Sequence, residues 1–164
     1  MPISRDKLRL QPQARLELLN KTRTGHCATV DQEGWPHVVP LWFVWHEDHL
    51  FVNSLKRSKR GRNLRDGSRV SFCVDAGEAY GELRGLVLKG RFEPETDETT
   101  LEAIKGLFGE KYWNGTAVPD LKSHEWFRLV IISEVSWDFR RIEEAGRDAR
   151  LEALKLRGSE GSVR

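Results

Sequence analysis

Residues 37–45 (HVVPLWFVW) form nine positions with no polar alternation. A strand exposed on one side alternates apolar and polar residues, so an unbroken apolar run predicts a strand covered on both faces. At a period of two, Val38, Pro40, Trp42 and Val44 share one face. Val39, Leu41, Phe43 and Trp45 share the other. The flanking pattern predicts more strands. Residues 26–31 (HCATVD) alternate weakly and stop at the turn signal Gln32-Glu33-Gly34. After the turn His46-Glu47-Asp48, flanked by His46 and His49 that are both expected to be exposed, residues 49–54 (HLFVNS) return. Residues 69–75 (RVSFCVD), 82–93 (ELRGLVLKGRFE) and 125–139 (EWFRLVIISEVSWDF) bring the count to about six. Gly85 and Gly90 inside the fifth strand predict bulges or close backbone approach.

Helical periodicity is confined to three places. Residues 5–22 open the chain, with Leu16 and Leu19 on one face and Pro12 suited to a helix start. Residues 96–108 carry Asp97 and Glu98 in a first turn and a stripe of Leu101, Ile104 and Phe108. Residues 109–123 are rich in Gly, Pro and Asn and predict a long loop. Residues 143–156 predict a terminal helix with Leu151 and Leu154, and residues 157–164 a frayed end. With no repeat, low-complexity tract or linker, residues 1–164 read as one domain. Short connections between many strands predict a mainly β (α+β) chain of antiparallel strands, closed as a small barrel that hides its edges. The doubly apolar strand then needs an outer cover, either a second subunit or a planar ligand.

Composition narrows the class. A chain of 164 residues with six Trp and seven Phe is too aromatic to be disordered. It is long enough to bury roughly two-thirds of its unfolded surface without disulfides. No apolar run approaches the roughly 18 residues of a membrane span. The charged N-terminus lacks a signal-peptide core, which predicts a cytoplasmic protein with no membrane partner. Cys27 and Cys73 lie in strand-like runs and are expected as reduced thiols. Charge is uneven. The chain carries +2, but residues 56–69 hold seven basic residues against Asp66, a local +6 that leaves −4 elsewhere. That distribution argues for one anion site rather than a nucleic-acid coat.

Two places could carry chemistry. In the basic segment a strand ends at Ser54, the loop offers Ser58, Lys59 and Arg60, and a short helix begins near Lys59–Arg62 and ends near Asp66-Gly67, a pattern suited to a phosphate. A solvated cationic loop fits the same residues about as well. Nucleic-acid contact is disfavoured, because residues 55–70 contain no aromatic to stack on bases. Along the apolar strand, Pro40, Trp42, Phe43 and Trp45 could wall a flat ring or simply serve as core or dimer contacts. The five histidines show no metal-ligand spacing, and no nucleophile elbow occurs.

The order of these pieces resembles the pyridoxamine 5'-phosphate oxidase-like superfamily. The matching segments are ATVDQEGWPHVVPLWFVW, HLFVNS, SKRGRNL, SRVSFCVD and LVLKGRFE. Each is weak alone; the set, spanning about 70 residues, is fairly specific. The resemblance implies a six-stranded antiparallel split β-barrel with two or three peripheral helices, forming a homodimer with a flavin-type cofactor at the interface. Carried over, Ser58, Lys59 and Arg60 would hold the cofactor phosphate, with Ser54 at the strand end and Arg57 as a further contact. The ring would lie around Val39, Pro40, Leu41 and Trp42. Asn63 and Leu64 would close the short helix onto the barrel. Arg60 stands where the family more often has Lys, and its guanidinium binds phosphate in a bidentate fork. The arginine and lysine motifs of the vitamin B6 oxidases proper are absent from VVPLWFVW and WDFRRIEE. The implied activity is therefore hydride transfer between FMN, or the deazaflavin coenzyme F-420, and a small planar substrate other than pyridoxamine phosphate. No catalytic side chain and no metal are expected. The alternative is a non-catalytic split barrel that binds or sequesters flavin or a tetrapyrrole.

Overall fold

Six strands account for the apolar runs of the sequence: β1 (Thr24–Val30), β2 (Pro36–His46), β3 (His49–Leu55), β4 (Arg69–Ala76), β5 (Arg84–Pro94) and β6 (His124–Asp138). They belong to a computed structural model that describes residues 4–116, 118–144 and 146. Every pairing is antiparallel, and the sheet closes as a barrel in the order β1-β2-β3-β6-β5-β4. Closure leaves no long exposed edge. The helices are α1 (Pro12–Lys21), α2 (Lys59–Arg65) and α3 (Glu98–Tyr112), with short 3-10 turns at Arg5–Leu8, Tyr80–Glu82 and Phe139–Arg141. No helix among the described residues is long and apolar enough to cross a membrane.

Local chemistry fixes the helix starts. Pro12 occupies the first turn of α1, where its missing N–H costs nothing. Asp97 caps α3 by accepting from the Thr100 N–H at 2.9 Å. Ser58 caps α2 by accepting from the Gly61 N–H at 2.9 Å. The β2–β3 turn is less ordinary: Glu47 and Asp48 both hold positive φ, at 45° and 60°, where Gly or Asn is the usual occupant.

The barrel interior is apolar. Phe43 and Phe72 meet edge-on at 5.4 Å between ring centroids, surrounded by Leu50, Val52, Leu86, Leu88, Phe127 and Leu129, all fully buried. Leu18 and Leu19 of α1 close one mouth, beside a bidentate Arg15–Glu134 pair. Leu64 and Asn63 of α2 close the other, where Asn63 Nδ2 donates to Thr29 Oγ1 at 2.9 Å. A second cluster lies outside the barrel. Ile104, Phe108 and Tyr112 of α3 pack on Val44, Phe51 and Trp126, the outward residues of β2, β3 and β6.

The barrel forks between β2 and β3. Their pairing runs from His46–His49 to Phe43–Val52. Beyond it, residues 36–42 of β2 pair with β1, and residues 53–55 of β3 pair with β6. The two strands diverge there.

Several expectations change. The loop expected at 109–123 begins after Tyr112, because α3 runs one turn further to set Tyr112 beside Phe108 in the outer cluster. His46 and His49 are half-buried rather than exposed, since each flanks the tight turn and His49 Nδ1 lies 2.7 Å from the Glu47 carbonyl oxygen. Within this chain β2 is covered on both faces only at Val44; Val38 and Trp42 on its outer face are 59% and 44% exposed. Cys27 faces the core and Cys73 the outside of neighbouring strands, so both are free thiols. The sheet does bulge between Lys89 and Gly90, and the Trp137 ring lies over Gly85. Beyond residue 146 the expected terminal helix and frayed tail lie outside the described residues.

A Cβ at Gly90 would overlap the Val130 carbonyl oxygen, a backbone atom with no room to give. Gly90→Ala is therefore expected to cost about 2–4 kcal/mol, read as a lower midpoint in urea unfolding. Gly106 in α3 faces open space. Gly106→Ala should stabilise the fold by up to about 1 kcal/mol through helix propensity, read as a higher midpoint.

Candidate functional site

The basic segment joins β3 to α2 at the open side of the fork. Ser58 Oγ is used twice: it donates to the Leu55 carbonyl at 2.8 Å and accepts from Gly61 N–H. Its role here is to shape the turn. Gly61 is required in this turn, because a Cβ there would strike the Leu55 carbonyl oxygen. Lys59 Nζ reaches Asp31 Oδ2 at 2.9 Å, and Arg65 pairs with Glu125 at 2.6 Å. Arg62 donates to the Arg57 carbonyl at 2.7 Å. Among the described residues, Lys56 and Arg57 have no acidic partner. Lys59 is half exposed, and a single pair at such a site contributes little stability, about 0–1 kcal/mol, so Lys59 can exchange its partner for an anion while Asp31 keeps the Glu33 and Trp35 N–H bonds.

Arg60 turns inward. Its Nε donates to Ser54 Oγ at 3.2 Å, and Ser54 is fully buried. Burial lowers the guanidinium below its ordinary pKa, and burial likewise pushes the nearby Cys27 thiol up to about 12. Arg60 thus stays charged beside a neutral thiol, a half-buried cation that is without a carboxylate partner among the described residues. The sequence-expected residues therefore divide. Arg57, Ser58 and Lys59 gather on the loop, whereas Ser54 and Arg60 form a pair beneath it. On β2, Pro40 and Trp42 face outward beside the fork, while Val39 and Leu41 pack against the core.

An aromatic cleft lies against the fork, a feature that sequence reasoning missed. Trp42, Phe108, Trp113 and Trp126 wall it, Asn53 and His124 supply polar atoms, and Val118, Pro119, Asp120 and Leu121 complete the lining. Its volume is about 170 Å³. Trp42 is held by stacking on Tyr112 at 4.5 Å with ring planes 10° apart. Phe108 meets Trp126 and Trp113 edge-on at 5.4 and 6.0 Å. The signal available in the sequence was the density of aromatics flanking residues 109–123, a stretch in which Tyr112, Trp113 and Trp126 sit close to a helix end or strand start.

The last turn of α3 also ties the structure together. Tyr112 Oη accepts from the Phe43 N–H at 3.0 Å and lies 2.8 Å from the Phe43 carbonyl and 2.7 Å from that of Arg23. Lys111 Nζ donates to the carbonyls of Leu19 and Phe43 and sits 4.1 Å from the centroid of the Phe43 ring. Burial and the neighbouring Arg23 charge lower Lys111 to about 8. Among the described residues no three His, Cys, Asp or Glu side chains converge to hold a metal ion.

The closed six-stranded antiparallel barrel, with its basic strand-to-helix loop and an outer α3, has the architecture of a small antiparallel β-barrel protein. The family model of pyridoxamine 5'-phosphate oxidase matches residues 11–136, and the chain belongs to that family. No curated protein matches the sequence. Among solved structures, a conserved hypothetical protein from Mycobacterium tuberculosis is 24% identical, with 84% of this chain and 90% of that chain covered and a TM-score of 0.74. A FAD-binding protein from Mesorhizobium loti is also 24% identical, covering 77% and 94%, with a TM-score of 0.61. The FAD and heme binding protein from Mycobacterium smegmatis is 20% identical, covering 80% and 72%, with a TM-score of 0.64. At these identities the likeness is one of fold.

Lys111 and Cys27 set a pH dependence of stability. The ordinary lysine value is 10.5, so between about 8 and 10.5 the unfolded chain binds more protons at Lys111 and stability rises with pH. The Cys27 thiol titrates at 9.0 when unfolded and at about 12 when folded, so above about 9 it contributes a fall. The melting temperature is expected to climb between pH 8 and 9 and then level off. Lys111→Met should abolish the climb, and an unchanged profile in that variant would discount the buried amine.

Proposed function

We propose that the protein is an oxidoreductase that moves a hydride between a bound FMN, or the deazaflavin coenzyme F-420, and a small planar substrate. The observation that carries this reading is the fork. It turns Pro40 and Trp42 outward on β2, and the loop after β3 carries Lys56 and Arg57, which have no acidic partner among the described residues. A flat ring bearing a phosphate has this pair of needs, an apolar face and a charge-assisted anchor. Family membership and the FAD-binding fold neighbours support the same reading.

A bound flavin-type ring supplies the chemistry, accepting and giving two electrons with a proton as hydride. The chain's own residues do the rest. Arg57 and Lys56 would hold the phosphate, and Lys59, paired here with Asp31, and Arg60, bonded here to Ser54, would add their charge. Ser58 fixes the loop, and Ser54 holds Arg60 in reserve. Pro40 and Trp42 orient the ring, while Val39 and Leu41 anchor β2 to the core behind it. Lys56, Arg57 and Arg60 together also suit the longer anionic tail of the deazaflavin, and FMN needs only part of that charge.

The outer face of β2 supports a homodimer with the ring at its interface. Val38 and Trp42 on that face are 59% and 44% exposed, apolar surface that water disfavours. A second reading, a non-catalytic carrier of flavin or tetrapyrrole, draws on the FAD and heme binding neighbour.

Purified protein is expected to be yellow or to gain melting temperature with FMN or coenzyme F-420. A colourless protein stabilised by neither sinks the proposal, and a bound ring that no reductant reduces selects the carrier. The Lys59→Ala/Arg60→Ala double variant should weaken cofactor binding roughly tenfold or more, the worth of one to two charge-assisted contacts. Lys59→Ala alone guards against a folding defect from the half-buried Arg60. Unchanged affinity in both removes the anchor assignment. Val38→Glu should shift the protein from dimer to monomer in sedimentation, with loss of cofactor affinity.

A further inference from the structure

We propose that the outer face of β4 and β5 is a binding site for a phosphomonoester on a short aliphatic stem. Three observations carry this. The first is charge. Arg69 and Arg91 stand directly opposite each other across the β4–β5 ladder, and Lys89 faces Ser71 two residues along the same face. All three cations are exposed. Like charges directly opposite destabilise a sheet, since their Cβ atoms lie only about 5 Å apart. Among the described residues none of the three makes a hydrogen bond or an ion pair. The nearest outward carboxylate on β5, that of Glu93, lies 3.8 Å from Arg128 instead. The chain thus keeps an unfavourable arrangement that an anion from outside would relieve. The second observation is shape. Ile131 pairs with Gly90 and Ser133 with Lys89, which leaves Ile132 as the extra residue of a bulge in β6. A bulge bends its strand and re-aims its neighbours. Beside it lies a groove of about 550 Å³ that Arg69, Ser71, Lys89 and Arg91 line. That is room for a small molecule rather than for a bare ion.

The third observation is the rest of the lining. Val30 and Pro36, paired where β1 ends and β2 begins, give the groove an apolar rim. No aromatic ring lines it, so nothing there stacks on a nucleobase. A phosphomonoester brings a charge of about −1.5 to −2 at neutral pH and three acceptor oxygens. Guanidinium forks bind such oxygens in pairs, and a lysine adds a point charge. A carboxylate, with its single charge, would leave two of the three cations uncompensated. Arg69 closes the basic run of residues 56–69, yet it lies on β4 rather than on the loop or α2. In the barrel order β4 and β5 stand two and three strands from β2. The site is therefore separate from the proposed cofactor anchor and does not rest on the oxidoreductase reading.

The probe is hexyl phosphate, titrated into the intact protein in phosphate-free buffer and followed by calorimetry and by the isoleucine methyl signals. Ile132 lines the groove, whereas Ile104 is buried in the cluster under α3. The Ile132 signal is expected to shift saturably while that of Ile104 stays in place. Heptanoate, the same hexyl chain on a carboxylate, should bind about tenfold more weakly, as should inorganic phosphate without the chain. Arg91→Gln should weaken hexyl phosphate about tenfold or more, the worth of one charge-assisted contact. The same change should raise the melting temperature of the unliganded protein, because it relieves Arg69. Weaker binding with a more stable fold separates a lost contact from a damaged structure, and Arg69→Gln, as a second variant, should behave alike. No saturation, equal affinity for heptanoate, or a lower melting temperature in both arginine variants would overturn the proposal. So would displacement of hexyl phosphate by one equivalent of FMN; the patch would then serve the cofactor phosphate, and the oxidoreductase reading would stand. Binding to vesicles of phosphatidic acid and phosphatidylcholine without binding of hexyl phosphate would overturn it in favour of a membrane surface.

Discussion

The divergence of β2 and β3 after Phe43 and Val52 governs the rest of the molecule. Six strands must tilt and stagger to close, and here two neighbours part before their ends. Parting strands leave backbone groups and apolar side chains without a neighbour, and each must be covered by something else. Tyr112 and Lys111 answer part of that need by bonding the Phe43 backbone. Arg60 enters from below to meet Ser54. The cleft occupies what remains, between Trp42 on one strand and Asn53 on the other. Helix, basic loop and cleft are thus three responses to one geometric demand.

The same demand explains why the local +6 does not make the segment a general polyanion surface. Lys59 and Arg65 direct their charge to Asp31 and Glu125, and Arg60 is drawn into the barrel base. What stays available is small and placed at one end of the fork. A solvated cationic loop would leave all its charges outward. This one sorts them by position, because Ser58 caps α2 and so fixes which way each successive side chain leaves the turn.

Much of this was legible in the chain. Residues 37–45 announced a strand with two apolar faces, and the inner face proved to be core. The outer face is apolar too, but within one chain it is covered only where α3 reaches Val44. Gly90 announced the bulge, and the basic segment a short helix beginning near Lys59–Arg62. The fork was not legible, since register between strands is a non-local property that one strand's own pattern does not encode. The end of α3 was hidden for a different reason. Gly109 and the Asn114-Gly115 pair read locally as loop, yet Phe108 and Tyr112 carry the helix on because their burial outweighs propensity. Arg60 was readable as a cation but not as an inward one, because direction depends on the Ser54 hydroxyl waiting inside the barrel.

These positions also set what one chain can do by itself. The cleft at about 170 Å³ is below the 300–1,000 Å³ typical of sites for larger ligands. On the proposed reading a tricyclic ring would lie against the outward face of Pro40 and Trp42. An open face gives a ring only one wall, and water on the other side would compete for a hydride. Dry, oriented transfer needs a second wall. Among the described residues the apolar surface that could provide it lies on the outer sheet, around Val38, which faces away from its own chain. Under the proposed function a second copy packed on that surface would supply the missing wall, which would make the exposed strand face and the open ring site two aspects of one requirement.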